Sequence, residues 1–165
     1  MFYGIFFLAV FVLIILQATL FAIFGLKPDL VLVAVVAMAL LKGSDHGAGW
    51  GFSLGLLEDL FNDGRFMGVN TLSKMLTGLL AGYLEKNVFK DSPLVPLVCT
   101  FGFTIVNEFV SYFLLNAFRY HLAFFDALFF SILPLAFYNA IFSPIIYFAV
   151  YRLDFYFRER YLRGS

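Results

Sequence analysis

An all-α integral membrane protein, with about six transmembrane helices in one compact bundle, is the fold class this sequence predicts. Three observations predict it. Of 165 residues, 62% are hydrophobic, 21% aromatic and only 13% charged, against about 25% charge in an ordinary soluble domain. The 24 Phe alone exceed what a small soluble core can hide, because a chain of this length leaves much of its folded surface wet. Finally, the apolar residues gather in long runs separated by connections too short to hold a folded domain.

The first run, Phe2 to Phe24, is longer than the roughly 7 to 15 residues of a signal-peptide core and lacks a basic leader, so it reads as a retained anchor. The second and third, Asp29 to Leu41 and Gly47 to Phe61, fall short of the roughly 20 apolar residues a free-standing span needs, so tilting, breaking or re-entry is open to them. Gly68 to Leu84, Pro93 to Ala117 and Ala127 to Tyr151 complete the set. Turn formers and charge mark the joints at Lys27-Pro28-Asp29, Lys42-Gly43-Ser44-Asp45, Asn62-Asp63-Gly64-Arg65, Glu85 to Ser92 and Arg119 to Asp126. The division is residues 1–151 as transmembrane domain and 152–165 as a short basic and aromatic tail.

Cytoplasmic loops of membrane proteins hold an excess of Lys and Arg. With the N-terminus inside, Lys42, Lys86, Lys90, Arg152, Arg158, Arg160 and Arg163 lie inside, against Lys27, Arg65 and Arg119 outside. Seven against three puts both termini in the cytoplasm. The tail mixes Arg158, Arg160 and Arg163 with aromatic residues, a composition suited to lying on an anionic membrane surface. A positive signal that only fixes topology fits it as well.

Gly47, Gly51 and Gly55 recur every four residues, and Gly78 and Gly82 repeat the spacing in the fourth segment. Such faces let helix backbones approach closely, here either each other or a partner's helix. Among the ionisable residues in the spans, Asp59 and Lys74 sit at similar distances from the turn near Phe66 and Met67, which predicts an ion pair between antiparallel helices. That pair would fasten the hairpin or take part in binding. Glu58, Asn107, Glu108 and Asn139 are further buried polar candidates, since such groups inside a bilayer are held by other helices or carry a function. Glu108 suits a fastener or the exchangeable carboxyl of a proton-coupled carrier.

Signatures of catalysis are missing. His46 and His121 belong to loops on opposite sides of the bilayer, so they share no metal ion and no dyad. No phosphate-cradling Gly-rich loop occurs, the lone Cys99 reads as a small buried hydrophobe, and a net charge of zero gives nucleic acid no attraction. The expectation is no catalytic residue, no cofactor and no metal.

Specific stretches resemble the bacterial MreD family of rod shape-determining proteins: Leu16-Gln17-Ala18-Thr19-Leu20 with Lys27-Pro28-Asp29-Leu30, then Gly51-Phe52-Ser53-Leu54-Gly55-Leu56-Leu57-Glu58-Asp59, Gly68, Leu72 and Leu80-Ala81-Gly82-Tyr83-Leu84. The resemblance implies a non-catalytic multi-pass subunit of the inner (cytoplasmic) membrane. It implies work in cell elongation and peptidoglycan synthesis beside MreC, MreB, RodA and its penicillin-binding transpeptidase. It also implies a fold like the substrate-binding subunit of energy-coupling-factor transporters. The leading expectation is a scaffold that binds the transmembrane helix of MreC, with the hairpin of Gly47, Gly51, Gly55, Asp59 and Lys74 as contact. The alternative is a small-molecule carrier or substrate-capture subunit of a transporter.

Overall fold

The structure, a computed structural model, describes the backbone of residues 2–20, 27–61, 67–87, 92, 94–117 and 124–163. Every described element is helical. In chain order these are α1 (Phe2–Leu20), α2 (Leu30–Lys42), α3 (Ser44–Phe61), α4 (Val69–Tyr83), a 3-10 turn (Glu85–Asn87), α5 (Leu94–Ala117) and α6 (Phe124–Ala127). A π-helical turn (Leu128–Ile132) then leads into α7 (Leu133–Arg163). Two stretches, Leu94–Ala117 and Leu128–Phe157, are long and apolar enough to cross a bilayer unaided.

The bundle is built around α2. Each of its residues from Leu30 to Leu41 is buried. Its sequence explains this: valine, leucine and alanine occur on all sides, and a helix that is apolar all round belongs in an interior. Ala34, Ala37 and Ala39 keep it slim, so α3, α4, α5 and α7 pack directly around it, with α1 on the remaining flank. The 13 residues of α2 rise about 20 Å, less than the hydrocarbon core of about 30 Å. A helix wrapped in protein is free of that length requirement, which accounts for a second segment too short to stand in lipid.

α3 and α4 form the tightest pair. A Cβ on Gly51 would run into the Lys74 backbone, one on Gly55 into Asn70 and Thr71, and Gly47 and Gly78 face one another in the same way. Gly82 lies against Gly43 and Ser44. The small-residue faces of the two helices are therefore used against each other, and the hairpin turns large side chains outward. Phe52, Leu56 and Leu60 of α3 and Leu72, Leu76 and Leu80 of α4 are exposed.

α7 carries two local departures from regular helix, each tied to a proline. The π-helical turn, in which Leu133 N–H donates to the Leu128 carbonyl, immediately precedes Pro134, which has no N–H to give. Further along, Pro144 leaves the Ala140 carbonyl without its backbone donor, and the Ser143 hydroxyl donates to that carbonyl at 2.8 Å. α7 continues without interruption past Tyr151 to Arg163, so the tail is an extension of the last helix. The side chains of Arg158, Arg160 and Arg163 lie outside the described residues, as does His121.

Polarity is arranged inside out. Lys74, Asp59, Ser73, Thr77, Thr104, Asn107 and Asn139 are buried, while Phe113, Phe129, Phe130, Phe137, Ile141 and Ile145 are exposed. Soluble proteins do the reverse with their ionised groups, and this arrangement is that of a helical membrane protein.

Candidate functional site

The buried polar residues converge on the start of α2. Asp29 caps that helix, its Oδ1 accepting from the Leu32 N–H at 2.8 Å. This is the usual work of an Asp one step ahead of an apolar helix. Its own N–H donates to Asn139 Oδ1 of α7 at 2.8 Å, and the Leu30 N–H donates to Gln17 Oε1 of α1 at 3.0 Å. Two free donors of the first turn are thus satisfied by distant helices. The chain of bonds extends outward, with Asn139 Nδ2 donating to Thr104 Oγ1 at 3.2 Å and Thr104 Oγ1 to the Thr100 carbonyl at 2.7 Å.

The charged centre is Lys74, only 1% exposed. Its Nζ lies 2.7 Å from Asp29 Oδ2 and 2.7 Å from Glu58 Oε2. One ammonium therefore bridges two carboxylates from different helices, and α2, α3 and α4 are joined at a single point. In α5, Asn107 Nδ2 donates to Glu108 Oε1 at 3.2 Å. Thr77 Oγ1 and Asn107 Oδ1, both buried, have no partner among the described residues.

The expected ion pair between Asp59 and Lys74 does not form. Asp59 and Glu58 are neighbours in sequence, so they point about 100° apart around the helix, and only Glu58 faces the interior where Asp29 and Lys74 meet. Asp59 instead caps α4. Its Oδ2 accepts from the N–H groups of Gly68 and Thr71 and from the Thr71 hydroxyl at 2.6 to 2.9 Å, and its Oδ1 accepts from the Asn70 N–H and side-chain amide at 3.2 and 3.0 Å. Gly68 holds φ +101°, a left-handed conformation open to glycine, and so brings these donors to one carboxylate. Asp59→Ala is expected to lower stability by about 2 kcal/mol, the upper end for a lost helix cap, with Asp59→Asn less affected. A thermal unfolding series in detergent measures this.

Of the sequence-predicted candidates, Glu58, Lys74, Asn107, Glu108 and Asn139 fall in or beside this network, whereas Asp59 and the glycines lie in the α3–α4 contact. Gln17, Asp29, Thr100 and Thr104 carry much of the bonding and escaped sequence reasoning as site residues. The Pro-Asp pair ahead of an apolar helix and the two Thr four residues apart were the available signals. Chemically the arrangement clamps helices together: one ammonium is shared by two carboxylates, and among the described residues no three His, Cys, Asp or Glu gather to hold a metal ion.

Four of the residues that bear the resemblance hold helices in place. Gln17 and Asp29 fix the head of α2, and Glu58 and Asp59 end α3 in two different contacts. The family model described as rod shape-determining protein MreD matches residues 1–156. Neither the curated proteins nor the solved structures compared with the chain give a match. With nearly its whole length matched, the chain belongs to the MreD family, membrane proteins that act in rod-shape determination and cell elongation.

Proposed function

We propose that the chain is a non-catalytic scaffold of the elongation machinery that binds the transmembrane helix of MreC. Through it the chain is brought beside RodA, its penicillin-binding transpeptidase and MreB, where peptidoglycan is made. The proposal includes six spans in the inner membrane, both termini in the cytoplasm on the seven-to-three balance of Lys and Arg, and a fold like that of the energy-coupling-factor substrate-binding subunit.

One observation carries the scaffold reading. The buried charged groups Asp29, Glu58, Asp59 and Lys74 are engaged with one another or with helix ends, while the same hairpin presents apolar side chains outward at four-residue spacing. Inside a bilayer, helices recognise each other through close packing of such faces. Because the glycines are already used between α3 and α4, the contact with MreC is assigned to the outward face that carries Phe52, Leu56, Leu72 and Leu76.

The test is co-purification from cells expressing MreC. Leu72→Trp with Leu76→Trp, made at normal level and with normal thermal stability, is expected to recover about tenfold less MreC, the effect of losing roughly 1.4 kcal/mol of binding. A wild-type protein that captures no MreC would sink the scaffold reading, and an intact complex with the double variant would sink the assigned face. The carrier alternative has one observation in its favour, the buried Thr77 Oγ1 and Asn107 Oδ1 without partners among the described residues, Asn107 being bonded to Glu108. A small molecule retained by the purified protein and lost in Asn107→Ala would favour it.

A further inference from the structure

A groove of about 540 Å³ opens between α1 and α7, walled by Ile5 to Leu13 on one side and Ile145 to Leu153 on the other, with Ala34 of α2 among its lining. It is distinct from the α3–α4 hairpin and from the charge network. Small side chains make it: Ala9, Ala34 and Ala149 leave room where larger residues would close α1 onto α7. α1 is held elsewhere, by Phe6 stacked edge-on against Trp50 of α3 at 4.7 Å and by a hydrogen bond between the Tyr3 hydroxyl and His46.

Two features identify the occupant. Each wall is nine residues long and rises about 12 Å, under half of the roughly 30 Å hydrocarbon core. That height matches one leaflet and falls well short of a spanning helix. The groove also ends at a basic rim. Leu153 closes it, and beside Leu153 in the chain stands Arg152, exposed and with no ion pair among the described residues. Lys42 and Asp154 at the same level neutralise one another, so Arg152 leaves the rim with positive charge. An apolar slot one leaflet deep, with a guanidinium near its end that has no ion pair among the described residues, complements a chain with an anionic head.

We infer that this groove seats one acyl chain of an anionic phospholipid, with Arg152 meeting the headgroup phosphate. The inference rests on the orientation proposed above, which places the groove in the cytoplasmic leaflet. The lipid then fills the space between α1 and α7 and serves as part of the wall of the bundle.

Native mass spectrometry of the full chain, after reconstitution in bilayers of equal phosphatidylglycerol and phosphatidylcholine, tests it. The expected result is a retained phosphatidylglycerol favoured over phosphatidylcholine by about fivefold, the discrimination one Arg near an anionic surface supplies. Ala149→Trp or, from the opposite wall, Ala9→Phe should remove the retained lipid, and Arg152→Gln should keep a lipid but lose the preference. Equal retention of the two lipids would overturn the role of Arg152. No retained lipid, or retention unchanged in both groove-filling variants, would overturn the site. Because MreC capture is assigned to Leu72 and Leu76, groove-filling variants that lose the lipid and still capture MreC support the lipid inference and leave the scaffold reading standing. Loss of MreC capture by the Leu72→Trp, Leu76→Trp variant with its lipid retained bears only on the scaffold.

Discussion

Gly51→Leu should unfold the α3–α4 hairpin, lowering stability by at least about 3 kcal/mol, the upper end for overpacking in a close-packed interior. The reason is the kind of atom in the way. A Cβ at Gly51 meets the carbonyl and Cα of Lys74 and Met75, backbone atoms that have no rotamer to escape into. Relief requires α3 and α4 to separate, and separation withdraws Glu58 from Lys74 and Asp59 from the start of α4. Thermal melting in detergent should fall by about 6 to 12 °C relative to wild type, on the usual scaling for a chain of this size. Gly49→Leu and Gly102→Leu are the controls, since a Cβ at either meets nothing within 4 Å. If all three variants melt alike, the close contact between the helices does not exist in the membrane.

Lys74→Met should be at least as damaging, by about 3 to 5 kcal/mol, because removing one member of a buried ion pair leaves its counter-charge stranded. Here two carboxylates, Asp29 and Glu58, would be stranded at once. The methionine fills a similar volume, so lost packing contributes little. Combining Lys74→Met with Asp29→Asn and Glu58→Gln removes all three charges and retains a capping side chain at position 29, and it should recover most of the lost stability. Buried ion pairs exchanged as a unit for neutral groups are often close to neutral in effect. A triple variant no better than Lys74→Met would show that the three groups are not a mutually compensating cluster.

Much of the helix layout could be read from the sequence, because apolar runs and turn formers are local signals. The boundaries expected for α2, α3, α4 and α5 lie within three residues of those observed. The partner of Lys74 was not legible. Distance from the turn gave depth, but the choice between Glu58 and Asp59 depends on how α3 is rotated against α4, and glycine contacts spread over both helices set that rotation. The role of α2 was hidden for another reason. An apolar helix bordered by protein and one bordered by lipid have nearly the same composition, and only the alanines and the short length hint at the difference. The continuation of α7 beyond Tyr151 was obscured by a shift in composition that looked like a boundary, although Arg, Glu, Leu and Tyr are compatible with helix.

The enclosure of α2 also bears on how the protein is made. Its flank toward α7 is covered by residues such as Tyr147 and Val150, and the acceptor for the Asp29 N–H is Asn139. None of these has been synthesised while the first four helices are leaving the ribosome. A nascent chain halted in α5 therefore holds a helix with one side still in lipid and one backbone donor still unmatched, and the final helix to emerge is the one that completes the structure.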